Sequence, residues 1–119
     1  MNELDKLRKM LDDAKIPYKS YQNPWGGDIS SLDNWYGEAG KYARNQVIYG
    51  EYDTGGWKID GICQCGSYRA KEGLIETYGS LGVDKYGDPM VMTAQEVFDI
   101  IKKDWEKENK QWQIEKRLS

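Results

Sequence analysis

The chain has 119 residues, a length typical of a single domain built around one core. Seventeen Lys and Arg residues against twenty Asp and Glu residues give a net charge of −3, which argues against a broad nucleic-acid-binding surface because such surfaces are usually basic. The absence of His removes the commonest general base and the commonest metal ligand. Nine Tyr and five Trp residues beside a single Phe favour a binding protein, because Tyr and Trp concentrate at half-buried interfaces.

An N-terminal helix is predicted from an apolar stripe in residues 2–14. The stripe has spacings of three and four, which is the pattern of a helix that packs one face on a core: Leu4, Leu7, Leu11 and Ala14. Pro17 is expected to end this helix at or before Ile16, because proline disfavours the helical conformation of the residue that precedes it.

Residues 18–40 are predicted to form a long loop, because turn-forming residues are dense near its start and no regular period follows. Residues 28–38 contain three acids and no basic residue. Two interpretations stay open: the aromatic rings anchor the loop on a basic partner surface while the acids steer the encounter, or the rings fold back as a lid on the core. The partner-binding interpretation uses six residues: Trp25, Asp28, Asp33, Trp35, Tyr36 and Glu38.

A central β-hairpin is predicted from residues 45–51 and 57–65, two runs of β-forming residues joined by a glycine-containing turn. Trp57 and every second residue after it, through Cys65, are expected to face the core. Cys63 and Cys65 would then have Cα atoms about 6.5–7 Å apart, at or beyond the limit for a disulfide, so we expect two reduced thiols. A structural zinc site is not expected, because the chain offers no further Cys and no His.

Two C-terminal helices are predicted. The first would begin at Ser67 and end at Gly79, with a buried stripe at spacings of four: Ala70, Leu74 and Tyr78. The second would begin with a capping box between Thr93 and Glu96, followed by its own stripe: Val97, Ile101 and Trp105. Residues 90–92 are predicted as a short edge strand, and residues from about 107 to 119 as a solvated or frayed helical tail.

A second hypothesis for function is an anion-binding site at the start of the first of these helices. A strand, a glycine turn and a helix start would place free backbone N–H groups beside two cations, and helix N-termini attract phosphate and carboxylate groups. The ligand would be a nucleotide or another small anion, and the residues would be Trp57, Ser67, Tyr68, Arg69 and Lys71. The alternative is an ordinary capped helix whose two cations are solvated.

Motifs that indicate catalysis are scarce. The sequence has no Walker lysine motif and no dinucleotide glycine fingerprint, and no spacing singles out a base for a Ser or Cys nucleophile. We therefore expect no enzymatic activity, no cofactor and no metal. The first residues lack the apolar core of a secretory signal, and no run approaches the ~20 apolar residues of a membrane span, so a cytoplasmic protein is expected.

Residues 57–105 resemble small accessory proteins encoded by phages and prophages of Firmicutes. The similarity lies in a strand, the run CQCGSYRAKEGLIETYG, a variable loop and the run VMTAQEVFDIIKKDW, with Arg69 standing where the family pattern has Gly. The resemblance implies a host-takeover or anti-defence role, such as inhibition of a CRISPR nuclease or sequestration of a cyclic nucleotide signal.

Together these features predict one α+β domain over residues 1–119: an N-terminal helix, a short antiparallel sheet around a central β-hairpin, and two C-terminal helices. The function we expect is that of a non-enzymatic, phage-type protein that inhibits a bacterial defence effector by protein–protein binding. Its acids would occupy a groove that a nucleic-acid-binding nuclease uses for phosphates. Direct binding to nucleic acid or membranes is not expected, and the surplus of Tyr and Trp is compatible with a homodimer.

Overall fold

The helices and strands form an α+β arrangement. The computed structural model describes residues 3–22, 45–63 and 69–118, and every structural statement below concerns these residues. The described elements, in chain order, are α1 (Glu3–Asp13), β1 (Lys19–Gln22), β2 (Asn45–Glu51), β3 (Trp57–Ile62), a 3₁₀ turn (Ala70–Glu72), β4 (Ile75–Tyr78), β5 (Met90–Met92) and α2 (Ala94–Leu118).

The sheet has five strands in the order β1-β2-β3-β4-β5, and each strand is antiparallel to its neighbour. It is therefore larger than the short sheet predicted around the hairpin, with β1 added on one side and β4 inserted between the hairpin and the predicted edge strand on the other. The hairpin also differs in detail: its second strand ends at Ile62 rather than at residue 65, and Trp57, expected in the core, is exposed. Residues 90–92 are an edge strand, as predicted.

Strand β1 corrects the prediction that a loop begins at residue 18. Its residues Lys19–Gln22 are all exposed and show no apolar alternation, so the sequence carries no strand signal there. The strand is specified by its tertiary partners: it pairs with β2, and Arg8 of α1 donates from Nε to the Ser20 Oγ over 2.7 Å. The rest of the predicted loop, residues 23–40, lies outside the described residues.

Strand β4 corrects the helix predicted from Ser67 to Gly79. The chain makes a single 3₁₀ turn over Ala70–Glu72, which ends at Gly73 in the left-handed conformation (φ 82°). Ile75 and Thr77 then alternate as fully buried residues of a strand, whereas Tyr78, expected on a buried stripe, is 38% exposed. The prediction was wrong because this short segment carries two patterns. Its apolar residues at spacings of four fit a helix, whereas the alternation of Ile75 and Thr77 fits a strand. Pairing with β3 and β5 makes the segment a strand. One helix therefore follows residue 69, not two.

The core lies between one face of the sheet and the two described helices. The apolar stripes predicted for both helices are confirmed, apart from Trp105, which is only partly buried, and Ala14, which lies beyond the end of α1 and is exposed. Lys15, in the left-handed conformation (φ 58°), turns the chain away from the helix there. The fully buried apolar side chains come from α1, α2, the sheet and the residue that follows β3: Leu4, Leu7, Leu11, Val97, Ile101, Val47, Ile59, Ile75 and Cys63.

The start of α2 is fixed by a capping box, as predicted. Thr93 donates from its backbone N to Glu96 Oε1 over 3.2 Å, and the Glu96 backbone N donates to Thr93 Oγ over 3.3 Å. A further cap comes from α1, where Glu3 Oε1 accepts from the Ala94 backbone N over 2.9 Å. The hydrogen bond from Lys6 and this contact with Ala94 hold the pKa of Glu3 below its usual value. The first turn of α1 is therefore hydrogen-bonded to the first turn of α2.

Helix α2 continues through the predicted tail to Leu118. Among the helices of the described part of the chain, none is both long enough and apolar enough to span a membrane.

Candidate functional site

The predicted partner-binding residues, from Trp25 to Glu38, all lie outside the described residues. The described residues on either side of residues 23–44, Gln22 and Asn45, are paired in the sheet. The partner-binding hypothesis for these six residues stays a prediction.

The anion-binding hypothesis depended on a helix that begins at Ser67, but the structure has a 3₁₀ turn and strand β4 in place of that helix. Trp57 is the first residue of β3, whereas Arg69 comes after the opposite end of that strand. The six residues of β3 span about 17 Å. Arg69 donates from Nε to Glu72 Oε2 over 2.7 Å, so its charge is already paired. Ser67, Tyr68 and the side chain of Lys71 lie outside the described residues.

A different site appears at the turn end of the hairpin, where β2 and β3 meet α2. It is an open cavity of about 410 Å³. We call it the hairpin groove and define it by three aromatic rings, three carboxylates and one ammonium group of its lining: Tyr49, Tyr52, Trp105, Glu51, Asp53, Glu108 and Lys58. A neighbouring cavity of about 290 Å³ continues it along β2, sharing Pro17, Gly50 and Glu51.

Gly50 shapes this end of the sheet. It has a φ of 72°, which L side chains rarely adopt, and a Cβ built on it would lie 2.7 Å from Cδ of Lys58. The Lys58 stem therefore packs directly over the bare Gly50 backbone. This close approach lets Lys58, from the neighbouring strand, reach across β2 toward α2.

An ion-pair network joins the hairpin to α2. Lys58 Nζ donates to Asp104 Oδ2 over 2.8 Å and to Glu108 Oε1 over 2.6 Å, and these two acids lie one turn apart on the helix. The Tyr49 hydroxyl donates to the same Asp104 oxygen over 2.7 Å. The side chains of Lys58 and Asp104 are only 14% and 18% exposed, so solvent screens this pair less than an ordinary surface pair.

The network shifts the titration of its members. Burial acts to lower the pKa of Lys58, but the hydrogen bonds to Asp104 and Glu108 outweigh it, and the pKa is raised. Burial, followed by the hydrogen bond to Asp104, raises the pKa of Tyr49. Lys58 is therefore a fixed cation and Tyr49 a neutral donor at physiological pH.

The groove as a whole keeps negative charge. Its only lining ammonium among the described residues, on Lys58, is taken up by Asp104 and Glu108, and Glu51 is paired with Lys19 outside the groove. Asp53 forms no hydrogen bond or ion pair with any residue that the structure describes. No group of His, Cys, Asp and Glu side chains among the described residues could hold a metal ion. The arrangement is suited to an organic cation that contacts both rings and carboxylates.

Sequence reasoning missed the hairpin groove, although two signals for it exist. Gly50 interrupts a predicted strand, which often marks a close approach of another group. Asp104 and Glu108 are spaced four apart and so share a helix face. Neither signal says which strand residue the acids meet, and Trp105 was assigned only to the core, where it is partly buried.

Comparison of the chain with family models, with curated proteins and with solved structures gave no match. The similarity of residues 57–105 to phage-encoded accessory proteins therefore stays a prediction. The function has to be argued from the geometry of the described residues.

Proposed function

We propose that the protein acts without catalysis, by binding a basic surface of another protein. The observation that carries the proposal is the hairpin groove, which combines aromatic walls with three carboxylates. Aromatic side chains dominate the affinity of most protein interfaces, and complementary charge speeds and orients the encounter. The partner class implied by the family resemblance is a bacterial defence effector such as a CRISPR nuclease, whose nucleic-acid channel is basic.

Four of the described cations are already paired, which disfavours a small-anion site built on any of them. Arg8, Lys19, Lys58 and Arg69 each contact a carboxylate of the protein itself. An anionic ligand would have to compete with these acids for every one of the four cations. A basic partner surface meets carboxylates instead, which is the charge that the groove offers.

The aromatic and acidic residues from Trp25 to Glu38 belong to the proposal as a second contact set. The groove is lined by different residues, at the Glu51 end of β2 and on α2, so substitutions can test the two sets separately.

The first test is inhibition of DNA cleavage by a panel of purified, guide-loaded CRISPR nucleases. We expect near-stoichiometric inhibition of at least one nuclease. The double substitution Trp35→Ala and Tyr36→Ala is expected to weaken that inhibition by at least about tenfold, since each ring is an interface anchor. Its melting temperature should stay close to that of the unchanged protein.

Two outcomes would count against the proposal. A large drop in melting temperature would mean that the two rings belong to the core and not to the interface. No inhibition of any nuclease, together with a rise in melting temperature on adding one of a panel of nucleotides, would point instead to the small-anion function.

A further inference from the structure

We propose that the hairpin groove receives the guanidinium group of an arginine side chain presented by the partner protein. This inference rests on the proposed function, because it assumes a protein partner, and it adds the chemical group that the partner supplies. It concerns the described residues of the groove and none of residues 23–44.

The charge of the groove favours a cationic guest. The groove lining has three carboxylates and one ammonium group, and that ammonium is already held by Asp104 and Glu108. Asp53 forms no hydrogen bond or ion pair with any described residue, and Glu108, which is 62% exposed, accepts from Lys58 through Oε1. A cationic guest therefore finds carboxylate oxygens without having to displace Lys58 from Asp104.

The aromatic wall of the groove favours arginine over a metal ion or a lysine. Tyr52 is 43% exposed, and Trp105 is only partly buried, so both rings are accessible to a guest. A guanidinium group is planar and weakly hydrated, and it stacks on aromatic faces while its N–H groups bond carboxylates. An ammonium group is more strongly hydrated and lacks the planar face.

The size and openness of the groove suit a side chain. A volume of about 410 Å³ falls within the range of ligand-binding clefts, which is about 300–1,000 Å³. The cavity is open to solvent, so a side chain can enter while its backbone stays outside. Tyr52 is held in place on one side, because its hydroxyl lies 2.9 Å from Ser80 Oγ.

The test uses the whole protein labelled with ¹⁵N and two short peptides that differ in one group. One peptide carries a central arginine, and the other carries citrulline, which has nearly the same shape without the charge. The indole N–H resonance of Trp105, identified from the spectrum of Trp105→Phe, reports on the groove. We expect the arginine peptide to shift this resonance saturably, with a Kd on the order of 1–10 mM, as befits a single side chain. The citrulline peptide should leave it unchanged.

Matched variants show whether the carboxylates act locally. Asp53→Asn combined with Glu108→Gln should weaken arginine binding at least threefold. Glu72→Gln, which removes an acid of similar exposure at the other end of β3, should not. Equal shifts with arginine and citrulline, no saturable shift with arginine, or equal weakening by Glu72→Gln would each overturn the inference. Tighter binding of spermidine than of the arginine peptide would also overturn it, because a free polyamine would then be the guest.

Failure of this inference can be told apart from failure of the proposed function. If the arginine peptide does not bind while nuclease inhibition is observed, the protein still binds a partner but not through a guanidinium group in this groove. If the peptide binds as expected while no nuclease is inhibited, the groove is an arginine site and the partner class is wrong.

Discussion

Replacing Ile59 with Ala should lower the free energy of unfolding by about 2–5 kcal/mol, the usual cost of truncating a fully buried aliphatic side chain. Ile59 lies on the central strand β3, is fully buried, and belongs to the cluster that α1 and α2 close. Domains of this size are stable by about 5–15 kcal/mol, so the loss is a large share of the total. Urea unfolding followed by far-UV circular dichroism measures it.

Ile62→Ala is the matched control, because Ile62 lies on the same strand but is only half-buried. Its side chain points to the opposite face of the sheet, an odd number of residues from Ile59. We expect a cost of about 1–2 kcal/mol for its partial burial. Equal costs for the two substitutions would contradict a core confined to the face that α1 and α2 cover.

Replacing Lys58 with Met should lower the free energy of unfolding by about 1–3 kcal/mol. This figure lies between the ~0.2–1 kcal/mol of exposed ion pairs and the ~3–5 kcal/mol of buried pairs that lose one partner. It is intermediate because Lys58 is largely buried, while one of its two acids, Glu108, is exposed. The substitution leaves Asp104 with Tyr49 as its remaining donor among the described residues.

The contribution of Lys58 to the free energy of unfolding should also depend on pH. Its pKa is raised in the folded protein, so the stabilisation is fully present below the unfolded value of about 10.4 and is lost as the pH rises through the folded value. The difference in unfolding free energy between the unchanged protein and Lys58→Met should therefore be constant from pH 7 to 9 and shrink above it. Urea unfolding across this range measures the difference.

Lys19→Met is the control for this substitution. Like Lys58, Lys19 forms an ion pair, in its case with Glu51 of β2. Both side chains of that pair are about half exposed, so we expect little change in the free energy of unfolding. A double-mutant cycle of Lys58→Met with Asp104→Asn should show a coupling that the Lys19 pair lacks. If Lys58→Met were no more destabilising than Lys19→Met, the network would not hold α2 to the hairpin.

The helices could be predicted from the sequence because their signals are local and redundant. In α1 the leucine stripe fixes one buried face, and in α2 the reciprocal bonds of Thr93 and Glu96 fix the first turn. Both signals are contained in fewer than ten residues. They do not depend on which other elements pack against the helix.

The strands β1 and β4 could not be predicted because tertiary contacts determine them. Lys19–Gln22 is a polar, exposed segment that becomes a strand through pairing with β2 and through hydrogen bonds from Arg8. Ile75–Tyr78 follows a glycine turn in a segment whose apolar spacing also fits a helix. In both places the local sequence pattern gave a wrong prediction, because pairing with the neighbouring strands determines the structure.

The candidate site was missed for a related reason. Its residues come from two parts of the chain, the hairpin around Gly50 and the middle of α2 around Asp104, which the fold brings together. The sequence did indicate a protein that binds through acids and aromatic rings. It placed them on residues 25–38, whereas the described residues show such a set where the hairpin meets α2.

We propose that the protein binds a basic partner through the carboxylates of the hairpin groove. The most direct test is the affinity of an inhibited nuclease for Glu108→Gln and for Glu72→Gln, measured by isothermal titration calorimetry. Each substitution removes one exposed acid that forms an ion pair, with exposed fractions of 62% and 56%. We predict that Glu108→Gln weakens binding at least threefold, and more at low salt, while Glu72→Gln leaves the Kd unchanged. Equal losses for both variants, or none for Glu108→Gln, would contradict the claim.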